Sequence, residues 1–320
     1  MAKTSITKQL EEVIKKSVAE TVAKIERPFG LLLSGGVDSA LLAALTKPDV
    51  VLTCKFPYGE KYDEFPYAEK IVKHLGLKQE VVEITKEDFE QHLPSALKAF
   101  RPTTHFSLVP LFIAFKRAYE LGLKTVLSGE GPDEYLGGYA SYSFITHEQK
   151  LYEQEELQHY RPALDKYLGS PMERFAKILG KPLEELAPYW DRYENLLSKI
   201  GYTDLKLRGI EEMELALAQS WKVNLLYPYM SSEVEEFCFT QVPDNWKIRG
   251  FTTKYIEKKI AEKYLPKEVV WRKNKMGGPV APVGIWLGEE DEFSKVKYLQ
   301  LQNELWKDFQ LSSLPIVDTP

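Results

Sequence analysis

Two short stretches concentrate residue types suited to holding phosphate. They are Ser34-Gly35-Gly36-Val37-Asp38-Ser39 and VLSGEGPDEYLGGY over residues 126–139. In the first, Gly35 and Gly36 open backbone dihedrals closed to other residues and let main-chain amides approach an anion. The helix that should follow aims its positive end at the same place. Asp38 puts a carboxylate where phosphate would lie, which makes sense only with a divalent cation between them. Ser34 and Ser39 add hydroxyl donors. The composite is a site for phosphates with Mg2+. It is not a Walker loop, because Gly-Lys-Ser/Thr at the required spacing is absent. The competing reading is a plain capped turn, in which Ser39 or Asp38 caps the helix and the glycines merely shape the bend.

In the second stretch Ser128 and Gly129 supply donors and approachable backbone at a strand end. Asp133 would complete the coordination of the same cation or of a second one. Glu130 is left over as a base. A solvated acidic loop is a poor alternative, since such loops do not usually emerge from a buried strand.

Holding these residues in place takes a sheet. FGLLL (29–33) is a continuous apolar run, the pattern of a strand covered on both faces. DVVLTCKF (49–56), QEVVEI (79–84) and KTVLSG (124–129) read as three further strands. Helices are expected from Ser39 to Thr46, over EFPYAEKIVKHLGL with a stop at Gly76, and over VPLFIAFKRAYELGL ending at Gly122. This alternation predicts an α/β fold with a doubly wound parallel sheet, whose ligands bind beyond the carboxyl ends of the strands. Both chemical stretches sit at strand ends and are expected to share one crevice. An amphipathic helix over 5–26, apolar at Ile6, Leu10, Val13, Ile14, Val18, Val22 and Ile25, should precede the first strand and be closed by Pro28. Beyond residue 146 no further strongly β-like run is read. Residues 146–205 are taken as a polar helical insertion and 206–265 as helices packing back on the sheet.

SGGxDS resembles the pyrophosphate-binding loop of the N-type ATP pyrophosphatases, the PP-loop enzymes. That loop is similar in GMP synthetases, NAD synthetases, tRNA-thiolating enzymes and asparagine synthetases, all of which split ATP between the α and β phosphates. The second stretch resembles the SGEGADELFGGY signature of the asparagine synthetase synthetase domain, with Pro132 for alanine and Tyr135-Leu136 for Leu-Phe. The same family includes β-lactam synthetase. YDEFPYA (62–68), FSLVPLFIAF (106–115) and YLPKEVVWRKNKMGGPVAPVGIWL (264–287) are also family-like. The resemblance implies an adenine-nucleotide α-hydrolase-like sheet over residues 1–145, with 146–320 as a helical part completing the active site. By the same carry-over, Leu33, Ser34, Gly35, Gly36, Asp38, Ser39, Cys54, Ser128 and Gly129 would hold ATP. Asp38 and Asp133 would hold Mg2+. Lys275 would neutralise charge as adenylate and pyrophosphate separate, with Lys273 in reserve; lysines this dense are otherwise a solvated face. A point charge there suits the negative charge that builds on phosphate oxygens. Glu130 would take a proton from an incoming ammonium or amine, where β-lactam synthetase has tyrosine.

The chain also departs from that pattern. A glutaminase domain and a Cys at position 2 are absent from the sequence, so ammonia is expected free or from a separate glutaminase or biosynthetic partner. The family's GLExRxPFLD segment reads KVNLLYPYMS (222–231), which puts Asn224, Leu226 and Ser231 where Glu, Arg and Asp are expected. Arg101 stands where acids are common. The ATP half therefore looks intact and the acyl-acceptor half rebuilt.

A formal charge of −5 with 28% charged residues gives no global reason to expect nucleic acid or a membrane as partner. Cys54 and Cys238 read as two buried free thiols in a reducing cytoplasm. No run reaches transmembrane length. His74, His92, His105, His147 and His159 show no metal spacing. Tyr135, Tyr139, Tyr142 and Phe144 either line an acceptor pocket or pack a subdomain junction. The expected function is an ATP- and Mg2+-dependent ligase that adenylates a small-molecule carboxylate and passes the acyl group to ammonia or an amine. The alternatives are a tRNA-modifying PP-loop enzyme and a non-catalytic nucleotide-binding subunit.

Overall fold

The computed structural model describes residues 5–58, 64–154, 169–273, 280–289 and 295–312. The strands are β1 (Gly30–Leu32), β2 (Val50–Lys55), β3 (Gln79–Glu83), β4 (Thr125–Leu127) and β5 (Asn224–Leu226). The helices of the first half are α1 (Ile6–Val22), α2 (Val37–Thr46), α3 (Phe65–Leu75), α4 (Lys86–Ala99), α5 (Leu108–Glu120), α6 (Pro132–Leu136) and α7 (Ala140–Tyr152). Then come α8 (Pro171–Leu179), α9 (Leu183–Trp190), α10 (Leu196–Arg208), α11 (Ile210–Ser220), α12 (Ser232–Thr240), α13 (Asp244–Lys247) and α14 (Tyr255–Ala261). The last are α15 (Lys267–Val270), α16 (Val283–Trp286) and α17 (Lys295–Ser312).

These elements form two units. A sheet unit takes Ile25–Ser128, Ile210–Leu226 and the chain from Leu265 onward. A helical unit takes the chain up to Lys24, Gly129–Gly209 and Tyr227–Tyr264.

All strands of the sheet unit are parallel, in the order β3-β2-β1-β4-β5. The order reverses at β1, so β1 and β4 flank the switch point where such sheets take their ligands. Helices α2, α3 and α15 form one group, and α4, α5 and α11 another, with α3 and α5 both meeting β2. The doubly wound parallel sheet expected from the strand–helix alternation is present. Gly30 in β1 has no room for a side chain, since a Cβ would stand 2.9 Å from Leu123 and 3.0 Å from Leu52. The glycine stops also hold: Gly76 closes α3 at φ +64 and Gly122 follows α5 at φ +73.

Several expectations need correction. Residues beyond 146 do contribute a strand, because Asn224–Leu226 pairs in register with β4. Its signal is only three residues long and lies in a turn-rich context, below the length at which strand patterning can be read. Of residues 206–265, α11 and β5 join the sheet unit, whereas Tyr227–Tyr264 does not. The stretch after 146 is no polar appendage. Its Phe175, Leu186, Leu197 and Ile200 bury themselves with Tyr142 and Ile248 in a core of the helical unit's own. Helix α1 ends at Val22, ahead of Pro28, and buries Leu10, Ile14 and Val18 along one stripe. Helix α4 adds to the expected elements, and Thr85 and Asp88 form a reciprocal capping box at its start.

Candidate functional site

In the sheet unit the residues after β1 make a tight turn into α2. Leu33 still pairs with the sheet, its N–H donating to Leu52 O at 2.9 Å. Gly35 then adopts φ +82, the left-handed region that favours glycine. A Cβ there would stand 2.8 Å from Glu64 O and 3.1 Å from Ala68 N, so the first turn of α3 closes on bare backbone. Two hydroxyls tie the loop together. Ser34 Oγ lies 3.2 Å from Ser39 Oγ and accepts from Gly36 N–H at 3.3 Å, while Ser39 Oγ accepts from Ser34 N–H at 3.3 Å.

The capped-turn reading places Ser39 or Asp38 at the N-cap. Gly36 occupies the N-cap of α2, and no side chain caps the helix. Asp38 and Ser39 instead sit in its first turn, both buried. A helix start with glycine at its N-cap is a local setting in which main-chain donors can approach an anion.

Parallel register brings the other sheet-unit candidates to the same edge. Leu32 is level with Leu52 and Leu31 with Leu127, so Cys54 within β2 and Ser128 just after β4 lie beside the end of β1. Ser128 is buried, and its N–H donates to Leu226 O at 3.0 Å. Cys54 is half-buried, not buried as expected, with Sγ 3.8 Å from Pro110 O; Cys238 is buried, and both are free thiols. Burial pushes the Cys238 thiol up to about 12.

Sequence reasoning missed Arg272. Its guanidinium donates to Glu64 Oε1 at 2.6 Å, and both side chains are buried. It also lies over the Tyr67 ring, 4.3 Å from the centroid. Arg272 thus braces the turn of α3 that closes on Gly35. Lys273 follows it and is exposed. Lys275 lies outside the described residues. Arg101 makes a two-bond exposed ion pair with Glu212, at 3.0 and 2.9 Å, so the cation in place of a family acid is taken up by α11.

In the helical unit, Gly129 and Glu130 are half-buried and lead into α6. Gly131 at φ +111 faces Met230 and Tyr135, each 3.1 Å from where a Cβ would stand. Pro132 supplies the fixed dihedral of a first helical residue. Asp133 meets the ammonium of Lys254, Oδ1 to Nζ 2.6 Å, with Lys254 almost wholly buried. This lysine was not anticipated; it gives the acid a fixed partner of opposite charge. Gly138 leaves the room Asp133 occupies, since a Cβ at 138 would overlap its carboxylate at 1.7 Å.

Beside Asp133, Glu134 faces inward and is fully buried. Burial pushes its carboxyl up to about 8, reinforced by Asp133 and Asp204 and opposed by the Tyr139 hydroxyl and Arg208. Tyr139 donates to it at 2.6 Å. Tyr142 donates to Asp204, which Arg208 also grips, and the Arg208 guanidinium lies 4.1 Å from the Tyr139 ring centroid. Tyr135 and Tyr142 are therefore packing residues, while Phe144 is 60% exposed. Ser231, where the family has an acid, accepts from Val234 N–H and caps α12, a role Asp fills equally well. Among the described residues no cluster of three or more His, Cys, Asp or Glu could hold a metal. Nor is any described helix long and apolar enough to cross a membrane.

Comparison with known proteins follows the same line. Asparagine synthetase 1 of Bacillus subtilis is 26% identical over 330 residues, covering 89% of this chain and 51% of that protein. A protein of Methanocaldococcus jannaschii described as a putative glutamine-hydrolysing asparagine synthetase 1 is 34% identical over 143 residues, 44% of this chain and 26% of its own length. The chain thus spans about half, or less, of these relatives. Among solved structures, an NH3-dependent NAD synthetase from Campylobacter jejuni gives a TM-score of 0.32 at 18% identity, covering 65% of this chain and 96% of that one. The family model described as asparagine synthase matches residues 9–317, almost from end to end, and the chain belongs to that family.

Proposed function

We infer that this chain is an ATP-dependent, amide-forming ligase. It adenylates a carboxylate and transfers the acyl group to ammonia or an amine, with release of AMP and pyrophosphate. The observation that carries this reading is the turn from Ser34 to Ser39. It has a left-handed glycine pressed against α3, hydroxyls turned on each other, and a buried acid in the first turn of an uncapped helix.

The donor set suits a triphosphate. The Gly35 amide, the amides that open α2 and the hydroxyls of Ser34, Ser39 and Ser128 would hold phosphate oxygens, with Leu33, Gly36, Cys54 and Gly129 lining the nucleotide. Asp38 would meet them through Mg2+, which usually keeps several waters and takes only one or two protein carboxylates. A full protein cage is thus not required. Asp133 is the second carboxylate proposed for Mg2+, with Lys254 fixing its direction. ATP supplies the activated phosphorus to which the carboxylate oxygen adds. Lys275 is proposed to neutralise the charge that grows on the departing pyrophosphate, and Glu130 to take the proton of the attacking ammonium or amine.

Pyrophosphate–ATP exchange tests the reading. Exchange should appear with Mg2+ and a carboxylate from a broad panel, and Asp38→Asn should abolish it. Glu130→Gln should keep exchange but slow amide formation by about 10²–10⁴-fold. Absence of exchange and of AMP across the panel, in protein that binds Mg-ATP, would overturn the assignment.

A further inference from the structure

Ser17 is a polar residue at an apolar position. Leu10, Ile14 and Val18 form the buried stripe of α1, and Ser17 lies on it, 5% exposed. A helical serine can satisfy its hydroxyl on the carbonyl four residues back. Ser17 reaches instead to another element, donating to Pro228 O at 2.6 Å across 211 positions of sequence. That carbonyl opens a 3-10 turn over Pro228–Met230, within the segment 222–231 where the chain departs from the family pattern.

The turn is short and tied at both ends. Met230 N–H donates to Tyr227 O at 3.0 Å, and Ser231 caps α12. Lys16 adds an ion pair at 2.7 Å to Glu233, in the first turn of α12. Glu11 of the same helix grips Lys263 and Tyr264 beyond α14. Helix α1 is thus fixed in register against the turn.

What the turn presents to α6 is Met230. Its Cγ lies 3.1 Å from where a Cβ of Gly131 would stand, and the Tyr135 ring lies as close. Gly131 follows Glu130 at φ +111, a conformation other residues rarely adopt. A glycine beside a base is a swivel, whose backbone turns freely unless neighbours block it. Met230 and Tyr135 are two stops on that swivel. Tyr135 belongs to α6 itself, whereas Met230 is held from outside by Ser17.

We propose that Ser17, acting through Pro228 and Met230, sets the direction of Glu130 and is a positioning residue for the amide-forming step. The proposal rests on Glu130 taking the proton of the amine, as inferred above. Adenylation does not use that proton, so the two half-reactions should separate.

Both steps are read on the full chain, adenylation by pyrophosphate–ATP exchange and transfer by amide release. Ser17→Ala should slow amide release about five- to tenfold, chiefly in kcat, and leave exchange within about twofold. Met230→Ala should slow release about tenfold or more. Because one residue acts through the other, the double variant should be no slower than Met230→Ala alone. Ile14→Val, which trims the same stripe, should lower the urea midpoint without separating the two steps. The proposal is overturned if Ser17→Ala leaves amide release unchanged, if both steps fall together, or if the two losses multiply. It is also overturned if Ile14→Val slows amide release as much as Ser17→Ala does. An unaltered chain without exchange would instead bring down the ligase reading, and this role with it.

Discussion

At Gly35 the backbone conformation and the space around it point the same way. With φ +82 and Glu64 O 2.8 Å from any Cβ, Gly35→Ala must strain the turn or push α3 away. Strain of about 1–3 kcal/mol is expected, and affinity for Mg-ATP should fall about tenfold or more in equilibrium dialysis while helix content is kept. Arg272 offers a second test. Arg272→Met leaves the buried Glu64 without its cation and should lower unfolding free energy by about 3–5 kcal/mol. Adding Glu64→Gln should recover much of that loss in urea titrations, since the stranded charge is then gone. The phosphate turn was legible in the sequence because its residues are contiguous. Arg272 was not, since its partner Glu64 lies 208 positions away. Lys254 was missed for the same reason: only folding brings it to Asp133.

Between elements, two contacts of the helical unit invite measurement. Helix α10 packs against α6 so closely that a Cβ on Gly201 would sit 2.0 Å from Glu134 O. Gly201→Ala should therefore destabilise the unit by about 1–3 kcal/mol or more, seen as a lowered urea midpoint. Glu134 in that same helix carries a proton in the fold at pH values where the unfolded chain has lost it. The contribution of Glu134 to stability should then be full below pH 4.5 and decline as pH rises toward about 8, by roughly 1.4 kcal/mol per pH unit. Glu134→Gln should flatten that slope. Lys247 works the other way, since burial lowers it from 10.5 to about 8, so stability should rise again over that interval. Strand and helix starts and stops were readable wherever a glycine or a long apolar run marked them. Thr85 with Asp88 marked α4 just as plainly, but β5 was too short to show periodicity.

Taken whole, the chain passes repeatedly between its two units, so neither is a continuous stretch. Helix α1 packs on α12 and α14, which come more than two hundred residues later, and Ser17 donates to Pro228 O at 2.6 Å. A fragment of residues 1–145 would lack those partners, and 146–320 would lack β1 through β4. Neither should show a cooperative urea transition, whereas the two co-expressed should recover one. The strand order carries a further consequence for synthesis on the ribosome. Strand β4 emerges at Thr125–Leu127 but meets its outer neighbour only at Asn224–Leu226. At about 5–20 residues per second, the interval is on the order of 5–20 s. For that time β4 is an open edge, able to pair with another nascent chain. The brevity of the strand, three residues, limits how firmly a stray partner could hold it.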